Sequence, residues 1–494
     1  MKGLFFLISV IAFFSCISVS AQYSMHQAPA MKRVLPDSID IAYNSKKNWK
    51  LAVGQIVGMN IGLWAFDRYA LKANYAYISI NTVENNLKNG FKWDNDQMAT
   101  NMFGHPYTGS LYYNSARANG FNFWESAAFT LGGSVIWEVL LENQPPSTND
   151  LIATSIGGIV IGEVSYSASD LVLDNRAEGT ERLGREFAAF LISPTRGLTR
   201  IMNGDAWQKK PTSGRQYGIP EIRIEASTGV RTLSLGKTYW AKEMIWTTNL
   251  NVEYGDRFDT YNKQPYDYFM FRASLNAHKS QPILGRFNLT ARLHGTELID
   301  TEKDYLSLGL YQHFAYYDSD TISSESNRIP YRFSVPASFG GGLIYQNKRS
   351  ASWLFDAYTH LNAVILGASL SDHYKVDMRN YNMGSGLGWQ AGFNLTYKDI
   401  FGLHSTYEGY RMFTWKGYPV GIDWNTIDPN TLNVQGDKSQ ATLQAFSLRA
   451  DVKLHRRIYF TLMSYFYSRI TNYDQYEDVR AHAKEGYLMM TYRF

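Results

Sequence analysis

Two acidic stripes are the first features of this sequence that could do chemistry. Ser134, Glu138 and Glu142 recur at i, i+4 and i+8, and Glu163, Ser167, Asp170 and Asp174 at i, i+4, i+7 and i+11. Either spacing puts all its members on one face of an α-helix. If the two faces meet, three or four carboxylates converge, with His105, Arg117 and Arg176 as counter-charges. Carboxylates withdrawn from water cost on the order of several kcal/mol unless they are paired or protonated. A pair with a raised pKa can serve as general acid and base, which makes Glu138, Glu163 and His105 the catalytic candidates. The same three side chains offer ligands for a divalent metal. A binding role would fall to Arg117, Glu142 and Asp170. The plainest alternative is structural, with Arg117 and the helix-end residues pairing the acids and holding a bundle together. No Gly-x-Ser-x-Gly, Gly-Asp-Ser-Leu or His-Glu-x-x-His pattern is present, so no cofactor or metal is predicted and enzymatic activity stays an open alternative.

Helices must position these residues, and the sequence predicts them at Trp49–Leu71, Asn81–Lys88, Thr108–Ala118, Phe123–Glu142, Asn149–Leu173 and Arg176–Phe190. Asn122 with Glu125, and Ser147 with Asp150, have the spacing of N-terminal caps, and Pro145-Pro146 stops the preceding helix. Gly54, Gly58 and Gly62 put small residues on one face, as close helix contact requires. Phe190 to Trp207 reads as a docking strip, with Arg196 and Arg200 at a periplasmic rim. Each helix carries a Glu, Asn or Gly that lowers its hydrophobicity, as a chain that must cross the inner membrane needs.

The segments GHPYTGSLYYNSARANGF, WESAAFTLGGSVIWEVLLENQPPSTNDL and GGIVIGE lie between Gly104 and Asp174. Together they resemble an uncharacterised bacterial domain-of-unknown-function family, through His-Pro-x-x-Gly, Trp-Glu, Pro-Ser-x-x-Asp-Leu and Gly-x-x-x-Gly-Glu. The resemblance implies a place in the cell envelope and a strand-rich tail, and it implies no particular reaction.

Beyond the turn-rich stretch that opens at Trp207 the period changes from helical to two. About twelve alternating segments follow, each longer than the 9–11 residues or so that a tilted transmembrane strand needs. In GYLMMTYRF, Leu488, Met490, Tyr492 and Phe494 share one face, and Tyr487, Met489, Thr491 and Arg493 the other. Tyr492 and Phe494 resemble the sorting signal of Gram-negative outer-membrane barrels. A barrel must pair its last strand with its first, because hydrocarbon does not tolerate an open edge. Long and short connections alternate through the last seven loops, as they do in transmembrane barrels. The alternation fails nearer the linker, where YGDRFDTYNKQPYD is long and KSQPILG is short.

The first residues read as a secretory signal peptide, with Lys2, an apolar run and Val19-Ser20-Ala21. Its removal after Ala21 takes away Cys16, the one cysteine, and with it any disulfide or thiol chemistry. A formal net charge of +4, spread along the chain, argues against nucleic acid as a partner.

The expectation is therefore an α + β protein of the Gram-negative outer membrane. It comprises a signal peptide (1–21), an irregular N-terminus (22–45), a helical domain (46–206), a linker (207–216) and an antiparallel transmembrane β-barrel of about twelve strands with a wet lumen (217–494). Its partners would be outer-membrane lipid and the barrel-assembly machinery. Its role would be small-solute passage or envelope scaffolding, with the helices as lumen plug or periplasmic cap. The competing class is a lipid-modifying envelope enzyme.

Overall fold

The computed structural model describes residues 46–217, 220–236, 244–261, 263–320 and 329–494. The predicted signal peptide and irregular N-terminus lie outside the described residues. The chain forms two compact units: residues up to Lys92 with Gly104–Pro220, and Trp93–Phe103 with Glu221–Phe494.

The helical unit contains α1 (Trp49–Ala65), α2 (Ile80–Asn89), α3 (His105–Arg117), α4 (Phe123–Leu140), α5 (Thr148–Ile152), α6 (Gly158–Val172), α7 (Gly179–Ile192) and α8 (Pro194–Met202). Both predicted caps are present. The Asn122 side chain accepts from the Glu125 amide while Glu125 reaches back to the Asn122 amide, and Ser147 accepts from the Asp150 amide. Three π-helical segments interrupt the pattern, Phe66–Leu71 after α1, Thr100–Gly104 before α3 and Ala153–Gly157 between α5 and α6.

Polarity in this unit is inverted. On α4 the buried residues include Ser126, Thr130, Ser134 and Glu138, whereas Trp124, Leu131, Val135 and Leu140 are exposed. On α1 the polar Gln55 and Asn60 are buried while Val53, Ile61 and Leu63 are exposed. The Phe190–Trp207 strip is largely the helix α8. It turns Arg196 and Arg200 inward and Leu198, Ile201 and Met202 outward.

Among the described residues the expected helix contact at Gly54, Gly58 and Gly62 is not made, since an added Cβ would meet nothing within 4 Å. The close crossing falls instead at Gly109 on α3 and Gly158 on α6. A Cβ on Gly109 would lie 1.8 Å from the Thr154 carbonyl oxygen, and one on Gly158 would lie 2.6 Å from the Gly109 Cα.

The second unit is a closed antiparallel barrel of twelve strands: β1 (Ile222–Leu235), β2 (Met244–Tyr254), β3 (Phe269–Ala277), β4 (Leu284–Asp300), β5 (Asp304–Asp318), β6 (Arg332–Asn347), β7 (Trp353–Leu370), β8 (Tyr381–Tyr397), β9 (Phe401–Phe413), β10 (Ser439–His455), β11 (Ile458–Tyr473) and β12 (Val479–Arg493). β12 closes on β1 from Glu225 opposite Arg493 to Leu235 opposite Ala483. The Phe494 amide continues the ladder to the Ile224 carbonyl at 3.0 Å. The faces divide as the alternation predicts. Leu488 and Met490 are exposed, while Tyr487, Met489 and Thr491 are at most 2% exposed.

The break in loop alternation does not come from a miscounted strand. All twelve strands are present, and the long connection 255–268 is a genuine β2–β3 turn on the side of the short turns. It is long because it is built into the barrel. Arg292 on β4 holds Asp267 at 2.9 Å, Tyr266 donates to Gln312 on β5, and Arg257 reaches Asp356 on β7 at 2.7 Å.

Trp93–Phe103, expected within the helical domain, forms a strap on the barrel. The Trp93 amide donates to Asn433, Arg379 donates to the Asp94 carbonyl, and Tyr381 donates to the Asp96 carbonyl. The Phe103 ring stands edge-on to Phe287, Phe314 and Tyr316.

Candidate functional site

The acidic stripes do not converge. On α6 each acid takes its own arginine, forming a ladder. Glu163, 0% exposed, receives Arg117 in a two-pronged grip at 2.9 and 3.1 Å. It also accepts from Tyr113 at 2.5 Å and from the Tyr217 hydroxyl. Asp170 pairs with Arg196 and accepts the backbone amides of Gln216 and Tyr217 at 3.0 and 3.2 Å. Asp174 pairs with Arg176 at 2.9 Å. Glu163, with four donors on its two oxygens, has no lone pair left for a substrate.

The α4 acids are set differently. Glu138 accepts the Ser147 amide at 2.7 Å at the start of α5, and Glu142 accepts the Trp137 indole N–H at 2.7 Å. Among the described residues no group of three His, Cys, Asp or Glu side chains is placed to hold a metal ion.

His105 is the third catalytic candidate, and it has company that the sequence did not suggest. Its Nε2 lies 3.4 Å from Asp150 Oδ1, and its Nδ1 lies 3.4 Å from Thr154 Oγ1. Asn149 orients the acid, donating to Asp150 at 2.8 Å. The imidazole is 17% exposed, the least enclosed of the three groups. A carboxylate, an imidazole and a hydroxyl in sequence can relay a proton from the hydroxyl to the ring, with the acid fixing the tautomer.

The local fold explains the constellation. The Gly109–Gly158 crossing brings the start of α3 against the π turn that carries Thr154, and a second π turn ends at the residue before His105. Such single-turn π bulges occur often at functional sites. Asp150 read only as a capping-turn residue in the sequence, and Thr154 followed it at i+4 with nothing to mark it.

The barrel interior is the other place where function could reside, and it is crossed by side chains that meet from opposite walls. Arg231 donates to Asn276, Tyr331 and Glu485 at 2.8, 2.9 and 2.5 Å. Glu485 also accepts from Tyr331 and Tyr487, and Arg286 on β4 donates to Tyr467 on β11. Glu408 on β9 accepts from Tyr317 and from Asn288 on β4. Leu233, Val335, Val364, Met412, Leu443, Met463 and Met489 pack among these rings as a buried core. A third layer joins Glu225, Arg449, Asp451 and Arg493. The alternation of the strands marked this inward face correctly, but Tyr and Met were free to pack against one another there rather than face water.

Outside the strands, Asp372 in the β7–β8 loop is set by two opposed effects. Burial pushes its carboxyl up, but Arg469, at 2.7 Å, and the Tyr473 hydroxyl hold it below the usual carboxylate range.

A family model described as "Domain of unknown function (DUF3943)" matches residues 90–195. No curated protein matches the chain. Solved structures similar to it include the CymD monoaromatic hydrocarbon channel (9% identity, TM-score 0.22, covering 56% of this chain and 90% of that one). The Pseudomonas putida toluene transporter TodX is similar at 10% identity, with TM-score 0.22 and coverage of 56% and 90%. The NanC porin is similar at 10% identity, with TM-score 0.25 and coverage of 55% and 98%. At these scores the functional reading rests on the molecule's own geometry.

Proposed function

We propose that this chain, which joins a segment matching DUF3943 to a closed outer-membrane β-barrel, is an envelope scaffold whose barrel anchors the helical unit and does not conduct. The observation that carries this reading is contact across the ring. β3 and β9 stand six places apart in a cycle of twelve, on opposite sides, yet Arg272 on β3 donates to Thr406 on β9 at 3.0 Å. The Arg286–Tyr467 and Asn288–Glu408 bonds cross in the same way. A porin keeps its lumen charges in water, whereas Arg231, Arg286, Glu408 and Glu485 are all buried.

Planar-bilayer recording of the purified full chain tests the reading. Silence is expected, followed by the appearance of current when Arg272, Arg286 and Glu408 are all replaced by alanine. Steady open-channel conductance of the natural chain would overturn it.

A second reading, a lipid-modifying activity of the helical unit, is favoured by the Asp150–His105–Thr154 chain. There the threonine oxygen would attack the carbonyl of a lipid ester as the imidazole takes its proton, the ester C–O bond would break, and the ring would return the proton to the departing alkoxide. Thr154→Val and His105→Gln should then abolish a change in the cell's lipid profile that Glu163→Gln only weakens. Identical profiles in cells with the natural chain, with the variants and without the protein would dismiss it.

A further inference from the structure

We propose that the helical unit is itself a lipid-embedded body, with its apolar exterior in contact with the hydrocarbon of the outer membrane. This departs from the periplasmic or lumenal location expected from sequence. It rests on three observations about this unit and a fourth about the barrel, independent of the scaffold reading.

The first is the inverted polarity. Ile61 is 51% exposed, Leu131 48%, Leu183 64% and Phe187 61%, while Glu163 is 0% and Arg196 3% exposed. A water-soluble bundle does the reverse, whereas a bundle in lipid hides its ionisable residues inside and pairs them. The Glu163–Arg117 and Asp170–Arg196 ladder is such an interior.

The second is length. α1 and α4 have 17 and 18 residues, and at about 1.5 Å per residue each spans roughly 26 Å. That matches the outward apolar band of about 25 Å on outer-membrane barrels, and it falls short of the ~20 residues that suit a thicker bilayer. The Thr148–Val172 stretch is long and apolar enough to cross a membrane.

The third is where the charges and indoles stand. No charged residue occurs from Leu51 to Ala65 or from Ser126 to Trp137. Lys47, Lys50, Asp67, Glu125 and Glu142 lie at or beyond the helix ends, and exposed Trp49 and Trp124 begin α1 and α4. Tryptophan at helix ends is the interfacial pattern of membrane proteins.

The fourth is that the bilayer is already at hand. The same chain builds a barrel whose outward residues, Leu361 and Leu488 among them, are apolar and exposed. The buried Ser, Thr, Asn and Glu of the short helices have a consequence for export as well. They keep each span below the hydrophobicity that would arrest it in the inner membrane, yet once folded they show lipid none of that polarity.

The test is site-directed spin labelling of the full chain reconstituted in phospholipid vesicles. Cys16 lies in the predicted signal peptide, so single cysteines at Ile61, Leu131 and Phe187 provide clean labels, with Leu361 as lipid reference and Lys209 as water reference. Heat-dependent gel mobility confirms that each labelled barrel is folded. The expected result is that labels at 61, 131 and 187 favour collision with oxygen over a nickel chelate, to the same degree as the label at 361. Chelate accessibility like that at 209 would overturn the proposal, since it would mean a water-exposed cap. Labels shielded from both reagents and broadened by dipolar coupling would also overturn it, since a second copy would then cover the surface.

Discussion

At the scale of single residues, the sequence located the polar groups well and their partners less well. Glu163 and Arg117 were both visible as candidates, but Tyr113 and Tyr217, which complete the shell, sit on another helix and just past the linker, beyond what helical spacing can reveal. Removing one member of a buried pair leaves the other uncompensated, which costs roughly 3–5 kcal/mol. Glu163→Gln is therefore expected to destabilise the helical unit by about that amount, seen as protease cleavage in residues 104–200 at a lower denaturant concentration. The double replacement Arg117→Met with Glu163→Met should recover much of the loss, because no unpaired charge remains. His105 shows the complementary limit. Its acid lies forty-five residues away and its hydroxyl forty-nine, and only the glycine crossing brings the three together.

At the scale of elements, period and punctuation made the strands and most helices legible. α8 was missed because Ser193-Pro194 reads equally as a helix stop and as a helix start, with proline tolerated in the first turn. Four-residue spacing misplaced the glycine contact, since spacing shows which residues share a face but not which face finds a neighbour. A paired substitution checks the observed crossing. Gly158→Ala would force a Cβ into the Gly109 backbone and should destabilise the unit markedly. Gly58→Ala, with open space around it, should be neutral or stabilise by up to about 1 kcal/mol through helix propensity. Thermal unfolding followed by circular dichroism would rank the two.

The β7–β8 loop supplies a pH prediction. A carboxyl held below its ordinary value stabilises the folded loop at pH above the unfolded value near 3.9 or so, and that stabilisation is lost as pH falls through the folded value. Cleavage of residues 371–380 by pepsin should therefore rise steeply below about pH 4 in the natural chain. In Asp372→Asn it should be high, and far less dependent on pH.

At the scale of the whole molecule, closure was legible because hydrocarbon forbids an open edge, whereas the contacts that cross the lumen were not. Alternation identifies an inward face but cannot tell whether that face meets water or the opposite wall. Replacing Arg231 and Glu485 together by alanine removes the link that Tyr331, Tyr467 and Tyr487 share. The barrel should still close, since β1–β12 pairing is untouched, but it should lose its resistance to unfolding by heat in detergent at a lower temperature. Retention of the natural transition temperature would show that the lumen network contributes little.

The strap also sets a chronology. Trp93 docks on Asn433, 340 positions further along the chain, and Asp94 waits for Arg379. Residues made early can reach their final seat only after most of the strands have been made. Until then the Phe103 ring has none of its partners Phe287, Phe314 and Tyr316 to pack against. Chains that stop short of Arg379 should therefore be cut by protease within residues 93–103 under conditions in which the full chain resists.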